Sequence, residues 1–380
     1  MSLQFITGNS GNGKTKYLFN TIVKEAKAHP RDNYLVIVPE QFTMQTQRQL
    51  VDLSENKAIM NIDVLSFKRL AYRVFDELGI TNLTVLEETG KNLVLRKLAA
   101  QEADKLGVIG RNLNRIGYIS EVKSLLSELV QYNISPEELG RYIDSGSLSD
   151  TLIGKLKDVL VLYEAFEKFM QDKYITAEEI LNVLCNVADE SAILRNSVIA
   201  FDEFTGFTPI QYQILELLIK HCAGVKIAIT LPEDEFQSLR NAYSKGNNAI
   251  SKYELFNLSK DTLWKLKDII NRNNIEQQET VIVGEGQAPY RIRDNKELTF
   301  LEKNLFRNNS SKYRENCKAL EVHSMSNPRE EAAYVAGRIS ELIVDKGYRY
   351  NDIAVITGDM DGYYRYIEEE FSKNNIPAFI

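Results

Sequence analysis

Apolar and polar positions follow two rhythms along the chain. Gln4–Thr7 is a short apolar run that feeds directly into a glycine-rich segment. Lys14 to about Ala28 follows, with Tyr17, Leu18, Ile22 and Ala26 at helical spacing. Tyr34–Val38 is an unbroken apolar run stopped by Pro39, the pattern of a strand buried on both faces of a parallel sheet. Ile59–Leu65 predicts another strand, and Ser66 is placed to cap the helix after it. From about Leu86 to Asn196 strand patterns nearly vanish. Helical stripes recur there at Leu93–Leu98, Ile116–Leu129, Leu152–Phe169 and Ala177–Val187. Ser135-Pro136-Glu137-Glu138 starts a helix with proline at its first position. Thr176-Ala177-Glu178-Glu179 has the capping-box spacing.

The first rhythm then returns. Val198–Phe201 predicts a strand, Pro209–His221 a helix and Val225–Thr230 a strand. Glu233–Lys260 reads as polar and irregular, and Ile282–Gly286 opens a short strand. A last passage predicts strands at Leu320–His323, Ile353–Ile356 and Ile376–Ile380, with helices from Pro328 to Lys346 and over Tyr363–Phe371. Alternating β and α elements predict parallel sheets, here two, with an all-helical insertion in the first. A strand at the terminus with no helix to cover it reads as a cut within a larger protein.

Length and composition add little but exclude much. The 380 residues predict two or three domains. An apolar fraction of 44% and a charged fraction of 26% are those of a globular protein. The net charge is −7 with Lys and Arg dispersed, so any DNA contact has to come from a local groove. No apolar run approaches the roughly 20 residues that span a membrane, and the N-terminus is no secretion signal. Cys185, Cys222 and Cys317 have neither metal-knuckle nor disulfide spacing and read as reduced thiols of a cytoplasmic protein. His29, His221 and His323 form no cluster.

The chemistry concentrates at Gly8-Asn9-Ser10-Gly11-Asn12-Gly13-Lys14-Thr15, which matches GxxxxGK[ST] at every fixed position. Glycines let backbone N–H groups converge on phosphate oxygens, and the following helix adds its positive end. Lys14 is expected on the β- and γ-phosphates of ATP and the Thr15 hydroxyl on Mg²⁺. A chance glycine-rich turn is the competing reading; a strand before and a helix after argue against it. Phe201-Asp202-Glu203 ends another strand. Asp202 is the expected second Mg²⁺ group, held through water, and Glu203 the candidate general base. A solvated turn is the alternative there.

Val38-Pro39-Glu40-Gln41-Phe42-Thr43 and Phe201-Asp202-Glu203-Phe204-Thr205-Gly206-Phe207-Thr208-Pro209 go beyond a generic nucleotide fold. With the loop, and with Arg329-Glu330-Glu331 ahead of Asp352-Ile353-Ala354-Val355, they resemble the AddB family, one of the two kinds of chain in a bacterial ATP-dependent helicase–nuclease. The resemblance runs from residue 1 to 380. It implies a superfamily 1 helicase layout: a P-loop, RecA-like parallel-sheet domain over 1–85 and 197–315, a helical insertion over 86–196, and the start of a second RecA-like domain at 316–380. It also implies an AddA-type partner, work on duplex ends and single-stranded DNA, and Chi recognition. The Chi-reading positions it suggests are Gln41, Thr43, Phe67, Arg69, Tyr72 and Phe207. Aromatics stack on unpaired bases, and Arg and Gln read base edges or phosphate. Periodicity alone favours core packing for Phe67, Tyr72 and Phe207.

Three departures bear on activity. No glutamine motif precedes the loop. Ile229-Thr230-Leu231-Pro232-Glu233-Asp234 stands where active helicases carry Gly-Asp-x-x-Gln, the γ-phosphate sensor. The arginine elements of the second domain are expected past residue 380. The resemblance thus implies nucleotide binding without a motor. Family members often have Asp-Gly where this chain has Asp202-Glu203, so hydrolysis stays open. The family's nuclease site and iron–sulfur cysteines lie C-terminal to this region and match nothing here. An independent P-loop ATPase or kinase, or an interaction scaffold with a vestigial loop, are the alternatives; Lys14→Ala separates them.

Overall fold

The computed structural model describes residues 2–81, 84–108, 110, 116–145, 148–170, 174–244, 250–307 and 311–379. Ile380 and the side chain of Ile116 lie outside the described residues. The chain divides into two compact units, Met1–Asp294 with Leu305–Asn308, and Asn295–Asn304 with Asn309–Ile380.

The first unit is built on β1 (Ser2–Gly8), α1 (Lys14–Ala28), β2 (Asn33–Ile37), α2 (Thr43–Leu53), β3 (Ile62–Leu65) and α3 (Phe67–Leu78). The two-residue strands β4 (Val85–Leu86) and β5 (Ile175–Thr176) pair in parallel beside the helical insertion. The insertion itself is α4 (Glu88–Gln101), α5 (Ile116–Gln131), α6 (Pro136–Asp144) and α7 (Asp150–Met170), followed by α8 (Ile180–Val187) and α9 (Ala192–Arg195). The sheet then resumes with β6 (Ser197–Phe201), α10 (Pro209–His221) and β7 (Gly224–Thr230). Helices α11 (Glu233–Ser244) and α12 (Asn257–Arg272) follow, and β8 (Glu276–Gln277) and β9 (Val281–Ile282) complete it.

Every strand pairing in the main sheet is parallel, in the order β3-β2-β6-β7-β1-β8, with β9 continuing along β1. The apolar runs are continuous because both faces are covered. Along β2, Leu35 and Ile37 join one core with Phe201 and Ile227, under α3, α8, α10 and α12. Tyr34, Val36 and Val38 join the other, under α1 and α2. The α4–α7 bundle has a core of its own that includes Leu95, Leu126, Leu162 and Phe166. Ile180 and Leu184 of α8 belong instead to the sheet core. The expected caps form: Ser66 accepts from Arg69 N at 3.3 Å. Both capping boxes close, Ser135 with Glu138 and Thr176 with Glu179.

Two expectations are corrected. Glu233–Lys260, read as irregular, builds α11 and the start of α12, because Phe236 and Leu239 bury against the sheet core; 245–249 lie outside the described residues. In the second unit, α13 (Lys296–Asn304), α14 (Pro328–Val344) and α15 (Met360–Lys373) form, and α14 and α15 share a core around Ala336, Ile339, Ile367 and Phe371. The expected strands at Leu320–His323, Ile353–Ile356 and Ile376–Ile380 make no ladder among their described residues. Val322, Ile356 and Phe379 are exposed at 97%, 92% and 106%.

Candidate nucleotide-binding site

β1 ends at Gly8, and the chain has to leave the sheet and enter α1 within a few residues. Gly8 has φ 153°, and a Cβ there would stand 2.6 Å from the Val283 carbonyl oxygen. Gly13 precedes α1 at φ 90°, in the left-handed region, and no side chain caps the helix. Donors of the first turn and the positive helix end are therefore left to an anion. Lys14 is buried, and its Nζ donates to the Asn9 carbonyl at 2.9 Å, so the ammonium reaches back across the loop. Burial pulls its pKa below the ordinary lysine range, against the pull of Asp202 and Glu203, and Arg291 lowers it further.

β6 delivers the acids. Asp202 N donates to the Ile37 carbonyl at 3.2 Å, which fixes the strand end. The Asp202 side chain is buried, and its Oδ2 has no hydrogen-bond partner among the described residues. Burial pushes its carboxyl up to about 6, although the Thr15 hydroxyl and Lys14 oppose this. Glu203 is exposed and has φ 63°, a conformation that costs a non-glycine residue about 1 kcal/mol. The Thr15 hydroxyl donates to Glu203 Oε1 over 3.4 Å. The structure thus brings Lys14, Thr15, Asp202 and Glu203 to one mouth. They line a cavity of about 930 Å³ that also runs along α1 to Gln49 and Asp52 of α2.

This set fits a nucleoside triphosphate with a divalent cation. Phosphate oxygens suit the bare helix end and Lys14. A hard cation suits the unpartnered carboxylate oxygen and the hydroxyl beside it.

Sequence reasoning missed the roof of the site. Residues 283–294 fold back over the loop: Asn12 Nδ2 donates to the Val283 carbonyl at 3.0 Å and Arg291 N to the Gly11 carbonyl at 3.2 Å. Tyr290, Arg291, Arg293 and Asp294 line the cavity, with the Arg293 guanidinium carbon 4.4 Å from the centre of the Tyr290 ring. An arginine of this chain therefore reaches the loop. The available signal was Tyr290-Arg291-Ile292-Arg293 directly after the turn-rich Gly284–Pro289.

The candidate DNA residues divide. Gln41 is exposed on a short turn, and Arg69 and Tyr72 are exposed one helical turn apart on α3. Arg69 Nε bonds Glu40 Oε1 at 3.1 Å, which brings that face of α3 to the Gln41 turn. Phe207 is half-buried, 5.0 Å from Phe204 and 5.6 Å from Tyr212 between ring centres. Thr43 and Phe67 are corrected: both are buried. The Thr43 hydroxyl donates to the Glu40 carbonyl at 2.9 Å and so holds the turn. Phe67 packs on Phe201, Phe204 and Phe207 with ring centres 5.7, 5.5 and 6.3 Å away, and offers no face to a base. Among the described residues, no helix is long and apolar enough to cross a membrane.

Residues 5–302 match the family model described as ADDB, N-terminal. The chain belongs to the AddB N-terminal family. The match includes both the phosphate loop and the 283–294 roof. Over 382 residues the chain is 37% identical to a protein of Lachnoclostridium phytofermentans, and over 383 residues 34% identical to one of Clostridium tetani. A protein of Caldanaerobacter subterraneus is 32% identical over 382 residues. Each alignment covers 100% of this chain and 32% of the relative, so the chain spans about a third of the length of these proteins. All three relatives are named as the B component of an ATP-dependent helicase/deoxyribonuclease, so the AddB family belongs to a multi-subunit enzyme acting on DNA.

Proposed function

We propose that the chain is the helicase-like N-terminal region of one component of a DNA double-strand-break repair helicase/nuclease. It binds Mg·ATP and contacts single-stranded DNA, Chi included, without being the main motor. The observation that carries this reading is the Lys14 ammonium spanning the loop opposite a buried Asp202 oxygen with no partner. In a RecA-like domain, backbone N–H groups of Gly8–Gly13 take the phosphates, with Asn9, Ser10, Gly11 and Asn12 shaping the cradle. Lys14 takes the β- and γ-phosphates. Thr15 and Asp202 are the pair that would hold Mg²⁺. β7 stands between the loop strand and the acid strand, which sets them about 10 Å apart and leaves room for phosphate, cation and water. Glu203 orients the attacking water, and Arg291 neutralises phosphate charge from the roof.

The exposed strip of Gln41, Arg69, Tyr72 and Phe207 takes the DNA strand. The chain acts in the cytoplasm with an AddA-type partner, in a composite enzyme whose nuclease and iron–sulfur chemistry lie outside this region. The sequence Ile229–Asp234 in place of a glutamine sensor supports binding without translocation.

Calorimetry with Mg·ATP on the wild type and Lys14→Ala, with a turnover assay on single-stranded DNA, tests this. Binding that the variant loses, with negligible turnover, is expected. Brisk DNA-stimulated turnover contradicts the non-motor reading, and absence of binding in the wild type contradicts the nucleotide site.

A further inference from the structure

Helices α11 and α12 carry a second set of cations away from the phosphate loop. Lys260 pairs with Glu235 and Glu254, Lys265 with Asp261, and Arg272 with Glu216. Arg240 and Lys267 differ: among the described residues no carboxylate lies within ion-pair distance of either. They are close enough to repel, since burial and then the Arg240 guanidinium pull the Lys267 ammonium below the ordinary lysine range. Two like charges held together without a counter-ion favour an incoming anion.

Lys267 is also held in place. Its Nζ sits 4.9 Å from the centre of the Tyr243 ring, and that ring stands edge-to-face with Trp264 at 4.5 Å. The Tyr243 hydroxyl donates to Asp268 Oδ1 at 3.1 Å and accepts from Asn271 Nδ2 at 2.6 Å, so the ring cannot turn away. On its other side α12 meets Tyr212, whose ring Lys265 covers at 5.1 Å and which touches Phe207.

We infer that Arg240 and Lys267, on the aromatic bed of Tyr243 and Trp264, form a second contact for a single DNA strand, taking two successive backbone phosphates. The inference rests on the DNA-contacting reading above and extends it to a face that the Gln41–Phe207 strip does not include. Paired cations beside partly exposed aromatic rings suit a strand with phosphates and stackable bases better than an acidic peptide.

Fluorescence anisotropy of a labelled oligothymidylate, titrated with the 380-residue chain at several salt concentrations, tests it. Arg240→Gln/Lys267→Gln is expected to weaken binding about tenfold and to flatten the logarithmic salt dependence by about 1.4, two phosphates at about 0.7 each. Arg240→Gln alone, at an exposed position that folding tolerates, flattens it by about 0.7. Lys267→Arg keeps the wild-type slope, and Mg·ATP affinity stays unchanged in all three. An unchanged slope in the double variant overturns the proposal, and so does a wild type that binds no oligonucleotide. Arg69→Gln separates the two faces. Loss with Arg69→Gln alone removes the α11–α12 contact and keeps the strip. Loss with the double variant alone does the reverse. Competition by polyglutamate as strong as by unlabelled oligonucleotide overturns the assignment to DNA.

Discussion

The α4–α7 bundle and the phosphate loop both bury charge, and they treat it in opposite ways. In the bundle, Lys91 is 2% exposed and its ammonium is surrounded: Glu88 at 2.9 Å, Glu178 at 2.7 Å and the Ser127 hydroxyl at 3.4 Å. Asp158, also buried, accepts from the backbone of Gly107 at 3.0 Å and Val108 at 2.7 Å. At the loop, Lys14 holds one carbonyl, and Asp202 keeps an oxygen with no partner among the described residues. A buried charge with its partners in place is architecture. A buried charge left short is destabilising unless something else completes it, and the missing partners here are those a triphosphate and a cation supply.

The largest effect expected from this contrast is in the bundle. Lys91→Ala strands two carboxylates and is expected to cost roughly 3 kcal/mol or more in urea unfolding, without changing nucleotide affinity per folded molecule. At the loop the sign reverses. The Asp202 carboxyl titrates at about 6 in the fold against 3.8 as its ordinary value. The folded state therefore binds more protons than the unfolded between those values. The contribution of Asp202 to apo stability is highest in acid and falls as pH rises through that window, by up to about 3 kcal/mol. Denaturation across pH 4–7 is expected to show a decline in the wild type that Asp202→Asn lacks. Arg291→Ala removes roof charge and is expected to weaken Mg·ATP about tenfold, near 1.4 kcal/mol, with apo stability little changed. Smallest is Glu203→Gly. It relieves the φ 63° strain and is expected to raise thermal stability by up to about 1 kcal/mol while removing any ATP turnover.

The loop was legible in sequence because its chemistry is local: glycines, Lys14 and Thr15 are all within one turn between a strand and a helix. Asp202 was legible for the same reason, as the polar end of an apolar run. The Arg291 roof was not, because 283–294 reaches Gly11 only through a long-range fold that no periodicity reports. Phe67 shows the converse. Its spacing predicted core, and it is buried among three phenylalanine rings. The Ile353–Ile356 run resembles β2 in composition, yet it makes no ladder, since an apolar run specifies a face to be covered and leaves the pairing partner to the rest of the fold. Helix α11 was hidden for a related reason: only Phe236 and Leu239 of its length are buried, too few to print a stripe.

The most direct test of these poised charges is thermal unfolding of the wild type, Lys14→Ala and Lys91→Ala, each with and without Mg·ATP. If Lys14 waits for a triphosphate, Lys14→Ala matches or exceeds the apo wild type. Saturating Mg·ATP then stabilises the wild type, by about 2.7 kcal/mol at a hundredfold excess over Kd, and leaves Lys14→Ala where it was. A Lys14→Ala protein as destabilised as Lys91→Ala, with no shift on adding Mg·ATP to the wild type, would make Lys14 a structural charge and contradict the nucleotide site.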